Sequence, residues 1–398
     1  MNIGASQVIS TILRHDSKVT SYKIALLRAI NDVVLSFPDL NSYHQDVAVP
    51  LRLLAEYWVA YYWGFVASNQ PISQGQRSER DGKLHNDMEF RPILSEFRRQ
   101  WEEQTGGLSR AANGFVAIHE LRIPRRRATY PPQLLATYQK TLKAIAKTIR
   151  TPIQYAGPGN WSVFEKPMTY GDLNGRVAAV PGTQADDLCL VIKANLWHTF
   201  QEMSLWIEAL CIHEWCLFTE RVSQSQQPVS RGETYNLLTA RPDNRRPLTW
   251  ENNQIEILLL EGQEFRCPWT DKRIVQGIPY DLDHLLPLSV YPINELWNLV
   301  PADRDFNRHV KRNRLPSAEK LFAARSALEW DYERYGRSTT LSQALQEDVQ
   351  LRFATVRSLR AAAEGGSAGR GVAAGAIVDR VIDLIEQIGR SRNLARFG

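Results

Sequence analysis

An aspartate and a histidine stand side by side at Asp283-His284 in the β-prone run YDLDHLLPLS, and two asparagines follow, Asn298 after 14 residues and Asn307 after a further 9. Hydrolysis of a phosphodiester needs a base to take a proton from water, a hard cation to neutralise the charge growing on the phosphate, and oxygen ligands to hold that cation. Asp283 offers an anionic oxygen and Asn307 a neutral amide oxygen. His284, on the other side of the strand from Asp283, offers an imidazole that titrates near neutrality. Oxygen ligands with open positions suit Mg²⁺ or Mn²⁺ better than Zn²⁺. Arg308, Lys311, Arg312 and Arg314 fall within seven residues at the end of a helix-prone stretch, suited to gripping phosphates on either side of a cut.

A Cys-Pro turn at Cys267-Pro268 precedes this pattern, Pro287 and Ser289 follow the histidine, and Asn298 opens NLVP. With these features the segment Phe265 to Ser317 resembles the HNH (His-Asn-His, ββα-metal) endonucleases. The resemblance implies that Asp283 and Asn307 hold Mg²⁺, with Mn²⁺ able to substitute, and that His284 activates water. It implies that Asn298 ties down the loop between the two strands and so orients His284. Lys311, four residues after Asn307, would touch substrate phosphate together with Arg308, Arg312 and Arg314. In-line attack would leave 5′-phosphate and 3′-hydroxyl ends, and one metal would suffice.

The segment also departs from the family pattern. Many members brace the fold with two CxxC pairs on zinc, whereas here the first pair reads Cys267-Pro268-Trp269-Thr270 and Asp303 and Phe306 stand in place of the second. No structural zinc is expected, and packing of Trp269 or Trp297 against Phe306 would stabilise the knuckle instead. His309 falls off the Asn307 face and reads as a surface or DNA-contacting residue.

The elements that must carry this pattern are mostly helical. Ser21 to Phe37 places Ile24, Leu27, Ile30 and Val34 at helical spacing, and helices are expected over 49–67, 91–103, 134–149 and 196–222. Residues 157–193 change to Gly, Pro and short β-prone runs, a small sheet inserted among helices. The polar stretch 223–248 reads as a linker with room for a short helix inside it, 249–318 as the nuclease domain, 319–364 as a helical extension, 365–376 as a Gly/Ala-rich linker and 377–398 as a C-terminal helix. The fold class is therefore mainly α with a small α+β part: a large helical N-terminal domain, a ββα-metal nuclease domain and a helical tail.

Composition sets the outer bounds. The chain has 398 residues, 43% hydrophobic, with 23 Gly, 20 Pro and four Cys, which excludes disordered, collagen-like and disulfide-stapled classes. Four cysteines and no secretory signal point to the cytoplasm. The run Val49 to Ala67 approaches bilayer length but carries Arg52 and Glu56, so it reads as a buried helix and no membrane partner is expected. A net charge of +5 permits a nucleic-acid partner. Within the N-terminal half, Arg125 and Arg126 of RIPRRR form a basic loop that could rest on DNA. Cys211-x-His213-x2-Cys216 lies in an apolar helix without a matching distant pair and reads as core. That half is similar to helical regions preceding HNH domains in restriction and anti-phage defence proteins, which implies DNA as substrate, a defence role and protein partners. Alternatives are RNA as substrate and a recognition subunit active only in a complex. A single site cuts one strand per visit, so double-strand breaks call for a homodimer or two visits.

Overall fold

The apolar run that looked long enough for a bilayer illustrates how this chain builds its first core. In the computed structural model it forms a strand, Val47–Pro50, followed by a helix, Leu51–Tyr62, in which every residue but Arg52 is buried. Its charges have partners: Arg52 Nε lies 2.7 Å from Asp187 Oδ1, and Glu56 Oε2 lies 2.7 Å from Arg122 Nη2. Among the described residues no helix is long and apolar enough to cross a membrane. The structure describes residues 1–398 except 1–3, 38–39, 41–43, 68–70, 76–77, 81–82, 86, 107–109, 158–162, 174, 225–227, 241–247, 289–292, 354–373 and 393, and the side chains of 78–80, 83–85 and 391 are likewise not described.

The chain divides into two compact units, one of Met1–Ser36 with Leu40–Pro242, the other of Phe37–Asp39 with Asp243–Gly398. In the first unit Val47–Pro50 is a central strand of a four-stranded sheet. It runs antiparallel to Leu188–Ile192 (Val47 opposite Ile192) and parallel to Ala178–Ala179, and Met168–Thr169 extends the edge. Helices Tyr22–Ser36, Asn113–Arg122 and Pro132–Tyr155 surround the aromatic helix, and Arg91–Thr105 packs on Pro132–Tyr155. Tyr62, Trp58, Phe90 and Trp215 meet at its centre with ring centroids 5.2–6.0 Å apart.

One expectation for this unit changes, and the short helix allowed inside the linker is present. The single helix over 196–222 is two, Ala194–Glu202 and Ser204–Ser223, broken at Met203 (φ −106°, ψ 16°). The stretch expected as a linker contains a helix, Arg231–Thr239, packed on Ser204–Ser223. Its start is a capping box: Ser230 Oγ accepts from Glu233 N at 3.1 Å and Glu233 Oε2 accepts from Ser230 N at 2.8 Å. The rest of that linker, 225–227 and 241–247, lies outside the described residues.

The second unit opens with helix Thr249–Leu260 and a two-stranded ribbon, Phe265–Arg266 with Arg273–Ile274. A hairpin follows, Tyr280–His284 antiparallel to Leu299–Asp303, then a short helical segment, Arg304–Phe306 continued by Asn307–Lys311. Five-residue strands and two helical turns bury too little surface to stand alone. Helices Ala318–Tyr335, Thr339–Arg352 and Ala374–Arg392 supply the missing layer. Leu321, Leu328, Val349, Val381, Leu384 and Ile385 share one core with Phe265, Trp297 and Val300. The segments expected as an extension and a tail thus belong to the body that carries the hairpin. The expected linker 365–376 lies outside the described residues up to 373. A strand at Arg396–Phe397 pairs in parallel with Leu315–Pro316.

Candidate active site

The hairpin register sets Leu299 opposite His284 and Val300 opposite Asp283, with Asn298 one residue before the second strand. Asp283 is 5% exposed. One carboxylate oxygen, Oδ2, accepts the indole N–H of Trp269 at 3.0 Å, and the other, Oδ1, accepts from Lys311 Nζ at 3.0 Å. Lys311 also donates to the backbone carbonyl of His284 at 2.8 Å. Its placement follows from a wide helical turn, closed by Arg312 N donating to Asn307 O at 2.8 Å, which carries residue 311 back beneath the hairpin. The expectation that Lys311 reaches substrate phosphate is therefore corrected: its ammonium is 1% exposed and committed to the aspartate.

His284 sits at the end of its strand with Nε2 2.7 Å from Oδ1 of Asn294, itself 2% exposed. With that oxygen as acceptor, the ring donates from Nε2 and keeps the Nδ1 lone pair for a proton. Burial lowers the pKa of His284 below its ordinary 6.5, although the Asn294 bond and the Asp283 charge pull the other way. The imidazole is accordingly neutral at pH 7, the state a base needs.

Asn298 is fully buried and ties the inter-strand loop. Its Oδ1 accepts from Leu286 N at 2.7 Å, and its Nδ2 donates to Leu286 O at 3.1 Å and Ile293 O at 3.4 Å. The three residues before Asn298 are clamped from the helical layer: Glu295 pairs with Arg352, Trp297 Nε1 donates to Glu295 Oε2 at 2.5 Å, and Leu296 N donates to Asp348 Oδ2 at 2.6 Å. Ser289 lies outside the described residues.

Asn307 is half-buried, and its side-chain amide makes no hydrogen bond among the described residues. A carboxylate has about four lone-pair sites, so Asp283 retains acceptor capacity beside its two donors. A carboxylate oxygen and an amide oxygen are the donor types that a hard divalent cation takes while keeping several waters. Among the described residues no group of three or more His, Cys, Asp or Glu is arranged to hold a metal ion, which includes the Cys211, His213, Cys216 stretch, where His213 is exposed and both cysteines are buried.

The arginines differ from one another. Arg308 pairs with Asp281 through Nε at 2.8 Å and Nη2 at 2.9 Å, and Arg314 donates to Val310 O. Arg312 is exposed, without an ion pair among the described residues, and has a positive φ of 53°, unusual for a non-glycine residue. In the first unit Arg125 and Arg126 lie in a short helix, Pro124–Arg127, rather than a loop, and Arg126 Nη1 is 3.2 Å from Glu120 Oε2.

The knuckle is packed with aromatic rings. Trp269 and Phe306 both meet Phe397, edge to face, with centroids 5.5 Å and 5.8 Å apart, while Trp297 packs on Phe353 at 5.4 Å. Sequence reasoning named Trp269 and Phe306 but missed the ring between them, 91 residues beyond Phe306. It also missed Asn294, which in sequence is indistinguishable from a turn-forming asparagine.

Two family models match the chain: one described as "Domain of unknown function (DUF8808)" over residues 2–238, and one described as "HNH endonuclease" over residues 267–317. The chain belongs to the DUF8808 family and carries an HNH endonuclease domain. No curated protein and no solved structure matches it. The HNH match covers Trp269, Asp283, His284, Asn294, Asn298, Asn307 and Lys311, while Asp348, Arg352, Phe353 and Phe397, which brace them from the helical layer and the last strand, lie beyond it. Such a domain marks a nuclease, a hydrolase whose substrate is nucleic acid, and nucleases of this kind generally depend on a divalent metal. The helical first unit and the ββα element embedded in a helical second unit agree with the fold class read from the sequence.

Proposed function

We propose that this protein is a metal-dependent endonuclease that hydrolyses DNA phosphodiester bonds, with His284 as general base and Asp283 and Asn307 holding Mg²⁺ or Mn²⁺. The observation that carries the reading is the half-buried imidazole of His284, fixed through Nε2 by Asn294 beside a buried carboxylate fixed by Trp269 and Lys311. His284 takes a proton from water at Nδ1, and the resulting hydroxide attacks phosphorus in line with the 3′ oxygen, which leaves. Asn298 holds the loop that carries Asn294 and so holds the imidazole. When bound, a divalent cation supplies charge neutralisation at the phosphate. Arg312, exposed and without an ion pair among the described residues, is suited to a flanking phosphate, and Arg308 and Arg314 to neighbouring ones after giving up surface contacts worth little.

The biological role we infer is restriction or anti-phage defence in the cytoplasm. A second reading, cleavage switched on within a larger complex, draws support from an exposed apolar knuckle in the first unit, Met203, Leu205 and Trp206, the last 75% exposed. Incubating the full chain with DNA and RNA duplexes of equal sequence in Mg²⁺ tests the proposal. Metal-dependent DNA products with 5′-phosphate ends are expected. Cleavage confined to RNA would overturn the substrate assignment, and cleavage only after addition of native lysate would favour the complex.

A further inference from the structure

Asp283 and Asn307 lie 24 residues apart in sequence, on a strand and a helical turn, and both must keep fixed positions if they share one cation. The residues that hold them converge on one ring. Trp269, 3% exposed, donates its indole N–H to Asp283 Oδ2, and its ring meets Phe397 at 5.5 Å with the planes 89° apart. Phe306, the residue immediately before Asn307, meets the same Phe397 ring at 5.8 Å with the planes 65° apart. Phe397 is itself 3% exposed and fixed by its backbone: Ser317 N donates to Phe397 O at 2.8 Å, Leu315 N donates to Ala395 O at 3.0 Å, and the neighbouring Arg396 pairs with Glu386 of helix Ala374–Arg392 at 2.7 Å.

We propose that Phe397 is a positioning residue of the cleavage site, a strut that holds Trp269, and through its indole N–H Asp283, in register with the turn that begins at Asn307. This rests on the nuclease reading above and names residues that act on it from outside the reacting atoms. The arrangement explains how the knuckle keeps its shape with Cys267 as its lone cysteine. That turn is closed by Cys267 N donating to Lys272 O and Asp271 N donating to Cys267 O, both at 2.9 Å, and the ring of Trp269 is its one contact with Asp283 among the described hydrogen bonds. Without a ring at 397 the indole keeps its bond to Asp283 but loses the surface that fixes its tilt. Without the indole N–H the carboxylate keeps Lys311 but is free to turn about its Cβ–Cγ bond.

Trp269→Phe, which keeps a ring and removes the N–H, and Phe397→Leu, which keeps apolar bulk and removes the ring, test this in the full chain. Partners that orient metal ligands typically change metal affinity or activity about 10- to 100-fold when lost. Both variants are expected to raise the Mg²⁺ concentration for half-maximal cleavage by roughly that factor, with KM for DNA within about twofold of wild type. A merely structural role would lower the active fraction without moving the Mg²⁺ requirement, and that result overturns the proposal. A second readout needs no activity. In ¹⁵N-tryptophan-labelled protein, which has 11 indole signals, the one lost in Trp269→Phe is expected to shift in both Asp283→Asn and Phe397→Leu. A signal that moves in Asp283→Asn and stays still in Phe397→Leu refutes the strut. If wild type cuts nothing, alone or with native lysate, the nuclease reading fails and the indole signal alone decides: movement in both variants supports the strut, and stillness in Phe397→Leu overturns it.

Discussion

Replacing Lys311 with methionine separates two tasks a lysine at this position can have. The ammonium is 1% exposed and lies 3.0 Å from a carboxylate whose side chain is 6% exposed. Breaking a buried ion pair by removing one partner costs about 3–5 kcal/mol, because the other charge stays desolvated. For a unit of this size each kcal/mol lowers Tm by about 2–4 °C, so Lys311→Met is expected to lower the unfolding midpoint of the second unit by roughly 6–20 °C at pH 8 in EDTA. In Asp283→Asn/Lys311→Met no charge is stranded, and the loss is expected to fall short of the summed single losses by about 1–3 kcal/mol. A divalent cation on Asp283 offsets the missing ammonium, so adding Mg²⁺ at ten times Kd should return about 1.4 kcal/mol to Lys311→Met and less to wild type. Calorimetry of the four proteins with and without Mg²⁺ reads all of these quantities. A Lys311→Met midpoint within 2 °C of wild type, or additive losses in the double variant, would refute the reasoning and return Lys311 to the substrate-facing role implied by the family resemblance.

Other outcomes follow from the same geometry. Because burial holds the His284 pKa below 6.5, the base is lost only as pH falls through that lowered value, so the acid limb of kcat is expected below pH 6.5; a midpoint at or above 6.5 would show an ordinary exposed histidine. Asn298→Ala strands the backbone groups of Leu286 and the Ile293 carbonyl, and a loss of about 2–4 kcal/mol in urea unfolding is expected, together with a fall in kcat; a loss under 1 kcal/mol would mean the loop is held elsewhere. Arg312→Ala should reduce the slope of log K against log salt for DNA binding by about 1 without changing sequence preference, and an unchanged slope would remove Arg312 from the interface.

The chemistry was more legible in the sequence than the scaffold. Asp283, His284, Asn298 and Asn307 stand out because residue type and spacing are both constrained, and the structure places the first two at the end of one hairpin strand, Asn298 just before the other and Asn307 at the start of the helical turn. Lys311 was found and misread, since spacing places it beside Asn307 but cannot say whether an ammonium faces inward. Phe397 was invisible: a ring contact across 128 residues from Trp269 leaves no local pattern. The dependence of the hairpin on helices Ala318–Tyr335 and Ala374–Arg392 was hidden for the same reason, because periodicity shows that a helix has an apolar face and not what covers it. The break at Met203 was missed because the apolar character runs on without interruption across it.

Plasmid cleavage by wild type and His284→Ala, in Mg²⁺, Mn²⁺ or EDTA, tests the proposed chemistry most directly by following supercoiled DNA into nicked and linear forms. Cutting in either metal, none in EDTA, and none by a His284→Ala protein with a wild-type melting profile is the expected result. Cutting that survives in His284→Ala, or that proceeds in EDTA, would contradict the assignment of His284 as the base of a metal-dependent nuclease.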